Sequence, residues 1–407
     1  MKKTGNIIIP AIAFMIIAIQ TASCGFFNNP FMMQDLPFSA GSGLNERIYA
    51  IRIQDNKFII TGWFTEYDGT DVGGIARINY NGSLNTTFNK GGSGISGSGF
   101  GDPYISGCVL QDDGRIIISG RFNYYNGTEA HGIARLNPDG SLDTTFHSRL
   151  SEDTVVSSCA VQPDGKIIIN GSFTSYDSVT AMRLARLNPD GSLDTTFSAG
   201  SGIGTQNAEI SLQSDGKIMI SATGLTWYDT TTDLKNIIRL NTDGTLDTSF
   251  NPGSGTLEAG DSLTHMAVLP DDRILVSGII SYFAGMERRG LYLLDKNGSP
   301  DGTFGPGNNC CNGTIDFFHV LDDGRILAAG SFLSEYDGEQ VNGIAMINAD
   351  GTIDESFDCG TGPSPAYVYD CAVRETGEII IVGDFDEFDG RTVNRIACLT
   401  RDGSFYR

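Results

Sequence analysis

Thirteen residues, ARLNPDGSLDTTF, occur at 134–146 and again, without a change, at 185–197. An internal repeat constrains fold more tightly than composition does, because each copy must do the same structural work at the same place in a repeated unit. Related segments read NYNGSLNTTF (79–88), NTDGTLDTSF (241–250), DKNGSPDGTF (295–304), NADGTIDESF (348–357) and, truncated, TRDGSFYR (400–407). Their glycines, Gly82, Gly140, Gly191, Gly244, Gly298, Gly351 and Gly403, stand 51 to 58 residues apart. A second signal alternates with the first, as in LQDDGRIIISGRF (110–122), VQPDGKIIINGSF (161–173) and LDDGRILAAGSF (321–332).

Each unit reads as four strands. A short apolar run ends at a Pro-Asp-Gly or similar turn; a dense β-branched run such as KIII follows; after an irregular loop come IARL, the turn NPDG and a last strand SLDTTF. NPDG suits a type I turn followed by Gly at positive φ. Short evenly spaced strands with periodic Gly and aromatic residues predict an all-β, seven-bladed β-propeller of four-stranded antiparallel blades. The ends point to closure in one blade. The chain stops partway through the motif at GSFYR, and DLPFSAGSG (35–43) matches DTTFSAGSG (194–202), so Asp35–Phe38 continues what Phe405 leaves unfinished.

The alternation of DGKIII-x-G-S-F, Tyr-Asp-Gly and IARLNPDGSLDTTF resembles the delta-60 repeat family of bacterial β-propellers over residues 35–407. That resemblance implies the propeller fold and brings no defined catalytic residues. Unit 5 departs most from the pattern, with Asp271-Asp272 for Asp-Gly and Pro300 inside its last strand.

If NPDG closes a bulged hairpin, Arg135 stands opposite Asp143, Arg186 opposite Asp194 and Arg239 opposite Asp247. An opposed pair of this kind stabilises a hairpin by roughly 0.2–1 kcal/mol. Unit 1 offers Arg77 and Asn85. Units 5 and 6 carry Leu293 and Met346 in place of Arg, leaving Asp301 and Asp354 without that partner. The carboxylates of NPDGSLD have spacings usable by calcium, but the turn alone explains Pro, Asp and Gly together. No cofactor is expected beyond that calcium possibility, and no metal site is assigned.

The first 23 residues are laid out as a secretory signal peptide: a basic MKK, an apolar run, then Ala22 and Ser23 before Cys24. These small residues resemble a bacterial lipoprotein box, although Thr21 stands where Leu is usual. The expectation is lipidation at Cys24, a tether over 24–34, and export to the cell envelope, at the outer membrane or cell surface. The chain carries 27 Lys and Arg against 49 Asp and Glu, a net charge of −22. Loss of residues 1–23 removes Lys2 and Lys3 and no acid, giving −24. Such a chain is repelled by nucleic acid and by anionic lipid surfaces, so membrane attachment is expected through the lipid alone, and the protein is expected as a monomer.

Cys108, Cys159 and Cys371 each precede a turn glycine by six residues, where other units have Ala50, Ile210, Met266 or Phe318, so they read as packing residues. Cys398 also looks structural. Cys310, Cys311 and Cys359 lie in loops, and a disulfide of Cys359 with Cys310 or Cys311 is plausible in an exported protein. His131, His147, His265 and His319 fall at unrelated offsets and read as individual packing or surface residues. GSGISG (92–97) matches a dinucleotide fingerprint by letter, yet lies in a Gly-rich insertion with no helix after it.

The two tight turns of every unit face one side, and the variable loops face the other. Binding residues concentrate on variable loops held by a rigid scaffold. Tyr67, Tyr125, Tyr176 and Tyr336 recur in register and read as packing, whereas Trp63, Trp227 and Tyr228 are the candidate binding residues. The function expected is a non-catalytic, envelope-anchored scaffold that binds a protein or glycan through its loop face. The alternative is a propeller enzyme of the metal-dependent hydrolase or lactonase type, with its site in the central channel.

Overall fold

The computed structural model describes residues 37–97, 101–253, 262–279, 282–283, 286–287, 290–305 and 311–406. The expected signal peptide and tether, together with Cys24, Asp35 and Cys310, lie outside the described residues.

Among the described residues, seven antiparallel sheets that each pair an inner, a middle and an outer strand follow one another along the chain, with short two-residue ribbons beside them. In unit 1 these are Ile48–Gln54, Lys57–Gly62 and Ile75–Ile78; in unit 2, Tyr104–Leu110, Ile116–Arg121 and Ile133–Leu136. Units 3 and 4 begin with Val156–Val161 and Glu209–Leu212, and units 5, 6 and 7 with Ser262–Val268, Phe317–Val320 and Val368–Val373. The fourth strand expected in each unit is reduced to one bridge, as in Leu136↔Leu142 and Leu187↔Leu193. The chain then turns at once, because the Asp143 carboxylate captures the Thr145 amide (2.9 Å) and hydroxyl (2.6 Å) instead of leaving them to a ladder. The loop between middle and outer strands is in turn more ordered than expected: it holds a short ribbon, Glu66–Tyr67 against Thr70–Asp71 in unit 1.

The dense β-branched runs follow from burial on both faces. Ile116 and Ile118 pack between units 1 and 2, while Ile117 between them points into the next seam, against Ile167 and Ile169. A strand covered on both sides has no polar alternation to show. Among the described residues the core is therefore divided into seven clusters, each filled from two neighbouring sheets. One of them joins Ile48, Ile51 and Phe58 of unit 1 to Ile380, Val382 and Ile396 of unit 7, with Phe38 and Tyr406 packed against it.

The hairpin after the outer strand has the geometry of a type I turn with a bulge. Asn137 donates its amide to the Ser141 carbonyl (2.8 Å), Asp143 to that of Arg135 (2.9 Å), and Gly140 has φ +85°. Both turns of a unit lie side by side, Gly114 facing Pro138 and Gly165 facing Pro189. The seams carry a recurring backbone bond. The amide after each closing Phe donates to the third residue of the next unit's turn: Ser39 to Asn81, Asn89 to Asp139, His147 to Asp190, Ser198 to Asp243, Asn251 to Asn297, Gly305 to Asp350 and Asp358 to Asp402, at 2.6 to 3.1 Å.

Candidate functional site

The bonds that hold each unit together also show which polar and aromatic groups are taken up by architecture. Arg135 Nε donates to Asp143 Oδ2 at 2.7 Å, Arg186 to Asp194 at 2.7 Å and Arg239 to Asp247 at 2.8 Å. All six side chains are buried, so breaking one costs more than the loss of an exposed cross-strand pair. The same guanidinium groups cross the seam. Arg77 donates to the Pro138 carbonyl (2.9 Å), Arg135 to that of Pro189, Arg186 to Thr242 and Arg239 to Lys296. Asp301 and Asp354 are met from the start of the middle strand instead: Arg325 Nη1 lies 3.0 Å from Asp354, and Arg273 Nη1 4.0 Å from Asp301. Asp139 Oδ1 accepts from the Ser141 amide (3.0 Å) and hydroxyl (2.7 Å), so the turn carboxylates are engaged locally.

Tyr67, Tyr125, Tyr176 and Tyr336 are fully buried and donate their hydroxyls to the turn carbonyls of Gly82, Gly140, Gly191 and Gly351. Tyr228 does the same with Gly244 and is 1% exposed. It is a packing residue, and its place among the binding candidates is corrected. Cys311 and Cys359 are buried in different seams, and Cys359 is a free thiol. Cys311 bridges to Tyr336 where Leu44 bridges to Tyr67, and Cys359 stands where Ala40 and Ala199 stand in the matching segments. The Cys359–Cys311 pairing is thereby corrected: the free Cys359 thiol packs in the seam of units 6 and 7, away from Cys311 in the seam of units 5 and 6. Burial pushes the Cys359 thiol up to about 11 and that of Cys398 to about 12.

The inner strands of units 1, 2 and 7 carry a β-bulge at their loop-side ends, between Ile48 and Ala50, Ile105 and Gly107, and Val368 and Asp370. A bulge re-aims a side chain. A glycine opposite makes it possible: a Cβ on Gly62 would lie 2.9 Å from Ile48 Cα. The bulged residues are Tyr49 in unit 1, Ser106 in unit 2 and Tyr369 in unit 7. All three line an open pocket of about 690 Å³, together with Trp63, Tyr104, Arg121, Gly101 and Asp102. Trp63 and Arg121 occupy the same register in neighbouring units, the middle position of Gly-Trp-Phe and Gly-Arg-Phe. The pocket thus opens on the variable-loop side, at the inner-strand ends of units 7, 1 and 2.

Its walls are aromatic. Tyr49 meets Tyr104 edge-on with centroids 6.0 Å apart, and Tyr369 at 5.7 Å. The Arg121 guanidinium lies 5.9 Å from the Tyr104 centroid, and Gly101, at φ +95°, lets the loop backbone close over it. Arg47, two residues before Tyr49, is paired with Asp384 at 2.7 Å. Burial raises the phenols of Tyr49 and Tyr369 above their ordinary range, which keeps them neutral donors. Trp63 is half-buried and lines this pocket; Trp227 is half-buried in unit 4, with its ring against Gly204, outside it. Sequence reasoning missed Tyr49, Tyr104, Tyr369, Arg121 and Asp102.

A second cavity of about 1040 Å³ opens on the turn side, among units 5, 6, 7 and 1. Its charged groups largely satisfy one another. Arg52 pairs with Asp370, whose Oδ2 also accepts the Ile51 amide at 3.0 Å. His265, which reads from sequence as an isolated packing or surface residue, instead joins unit 5 to unit 4: its Nδ1 lies 2.6 Å from Glu209 Oε1. Burial works to lower the His265 pKa, but the Glu209 charge and hydrogen bond outweigh it and the value is raised; His319 is lowered by burial. Among the described residues no group of three or more His, Cys, Asp and Glu side chains is placed to hold a metal ion.

A family model described as "Domain of unknown function (DUF5122) beta-propeller" matches residues 53–88, 111–146, 162–197, 213–250, 269–304, 321–357 and 375–405, more than half of the chain. No curated protein sequence matches it. Among solved structures, a mutant puromycin hydrolase complexed with PGG superposes with a TM-score of 0.51 at 14% identity, covering 90% of this chain and 54% of that one. PorZ, a bacterial surface component of the type-IX secretion system of Porphyromonas gingivalis, gives 0.43 at 12% identity, with coverage of 88% and 47%. The chain thus spans about half the length of these two. A catalytically inactive virginiamycin B lyase from Staphylococcus aureus, with quinupristin, gives 0.44 at 15% identity, with coverage of 87% and 97%. At such identities the likeness concerns fold alone.

Proposed function

The chain belongs to the DUF5122 β-propeller family, and on that premise we propose that it is a non-catalytic binding scaffold, exported and held at the cell envelope by a lipid on Cys24, that engages its partner through the variable-loop face. The observation that carries this reading is the aromatic pocket on that face. Three bulged or strand-end tyrosines, Trp63 and Arg121 converge from three units, and none of the tyrosines is needed to cap a turn as the buried ones are. Tyr, Trp and Arg are the residue types that dominate binding energy at interfaces. The envelope address rests on the order of basic, apolar and small residues before Cys24.

Adsorption of the purified Cys24→Ala protein to isolated cell envelopes of its host tests the binding half. Trp63→Ala should weaken adsorption, whereas Asp112→Ala on the turn side should leave it unchanged; the reverse pattern places the site on the wrong side. Mass spectrometry of the mature protein tests the anchor half: an N-terminus other than acylated Cys24 refutes it.

A further inference from the structure

The pocket of Tyr49, Trp63, Tyr104 and Tyr369 has a chemistry that narrows the kind of ligand it takes. We propose that it is a saccharide-binding site for a neutral sugar ring. The inference rests on the loop-face reading above and goes further by naming the ligand class.

The size suits a small ligand: binding pockets run from about 300 to 1,000 Å³, are mostly apolar and carry a few placed polar groups, and this one has about 690 Å³. The walls are ring faces and edges, with Tyr49 set edge-on to Tyr104 at 73° and tilted 49° to Tyr369. An aromatic face is electron-rich, and so complements the weakly positive C–H face of a pyranose, while a tyrosine keeps a hydroxyl at its rim for the sugar's own hydroxyls.

Charge decides between classes. The pocket holds one cation and one anion, Arg121 and Asp102, and no ion pair joins them among the described residues. Arg121 offers donors only and the Asp102 carboxylate acceptors only. Together they match neighbouring hydroxyls, each of which both accepts and donates. A cationic ligand finds its place over Tyr104 already taken by Arg121. An anionic one meets Asp102 at the rim and the −22 net charge of the chain at longer range. A neutral polyol is what remains.

The chain has two tryptophans, which supplies a reporter. In the full mature-length Cys24→Ala protein carrying Trp227→Phe, Trp63 is the sole indole and stands in the pocket. Maltotetraose, cellotetraose and xylotetraose are the neutral probes; trigalacturonate and a tetralysine peptide are the charged ones. The expected result is a saturable change in Trp63 emission with at least one neutral probe and with neither charged one. Arg121→Ala and Tyr104→Ala should weaken that binding about tenfold or more, the scale of a hot-spot residue, at an unchanged melting temperature. Tyr104→Phe, which keeps the ring, should retain most of the affinity and guards against loss through misfolding. A response to trigalacturonate alone, or to tetralysine alone, overturns the inference in favour of an acidic glycan or a basic protein segment. Silence with all five overturns it as well. Envelope adsorption then separates the two readings: if Trp63→Ala still weakens it, the loop-face scaffold stands and only the ligand class is wrong.

Discussion

Arg374 of unit 7 and Tyr80 of unit 1 are joined twice: the guanidinium donates to the Tyr80 carbonyl and lies 3.8 Å from the centroid of its ring. Tyr80 holds the turn position of Pro138, the carbonyl that Arg77 reaches in the following seam. In units 1 to 4 the crossing arginine comes from the outer strand; in unit 7 that place is Cys398, and Arg374 supplies the contact from the end of the inner strand. Its guanidinium also lies within 5.6 Å of the Phe38 centroid and 6.0 Å of that of Tyr406, so it gathers residues from both ends of the chain.

Arg374→Leu should therefore loosen the meeting of the ends before anything else. Hydrogen exchange is expected to accelerate first in residues 37–44 and 400–406, with the exchange of units 2 to 4 unchanged. If closure through both termini is wrong, the variant will show no such localised effect.

For the buried pairs the order of costs is informative. Asp143→Asn leaves Arg135 buried without its anion, a change that costs about 3–5 kcal/mol. Arg135→Leu should cost less, because Arg115 Nε already stands 3.5 Å from Asp143 Oδ2 and can take over, as Arg325 does for Asp354 in unit 6. The double variant Arg135→Leu, Arg115→Ala should recover the full cost. Chemical denaturation of the three variants measures the series.

The tyrosine-to-turn bond can be both removed and added. Tyr125→Phe leaves the Gly140 carbonyl without its phenol donor and should destabilise by about 1–3 kcal/mol. Phe388 stands in the same register in unit 7, fifteen residues before Gly403 as Tyr125 is before Gly140. Phe388→Tyr should then gain about 0.5–1.5 kcal/mol. A loss at both positions on thermal melting contradicts the shared register.

Acid should unfold the protein through the same carboxylates. Burial alone would raise the Asp143 pKa, but its bonds from Thr145 and Arg135 lower it to about 2, and Asp194 and Asp247 are lowered in the same way. A carboxylate lowered in the folded state contributes its full stability above the ordinary value of about 3.9 and loses it as pH falls toward the folded one. The melting temperature should hold down to about pH 5 and drop steeply between about pH 4 and 2. Asp143→Asn should make that drop shallower. His265 carries the opposite sign: its raised value stabilises below its ordinary pKa of about 6.5 and fades as pH rises through the folded one.

How much of this could be read from sequence follows from where periodicity survives. The seven units and their turn glycines were legible because every copy obeys the same turn chemistry, and the opposition of Arg135 to Asp143 followed from counting across NPDG. The short ribbons were not, since two-residue strands leave no pattern. Tyr228 was misplaced because unit 4 has one extra residue between its Tyr and its turn glycine, sixteen positions where the others have fifteen, and this hid its kinship with Tyr125. Tyr49 and Tyr369 escaped for a deeper reason. They sit at bulges, where the two-residue alternation breaks and residue order no longer tells which face a side chain takes. Trp63 stood out because it does not recur, while Arg121, in the same register, was hidden by an unremarkable Gly-Arg-Phe.

The backbone bond across each seam, from the amide after a closing Phe to the third residue of the next turn, has a genealogical consequence. Neither partner atom belongs to a side chain, so the joint does not depend on what the two residues are: His147 and Gly305 make it as Ser39 does. Every unit brings one donor and one acceptor, and a copied unit arrives already able to bond to its parent on one side and to the next unit on the other. Gene duplication can therefore lengthen such a chain without matched changes elsewhere. Two copies still identical over ARLNPDGSLDTTF can therefore stand side by side in one chain.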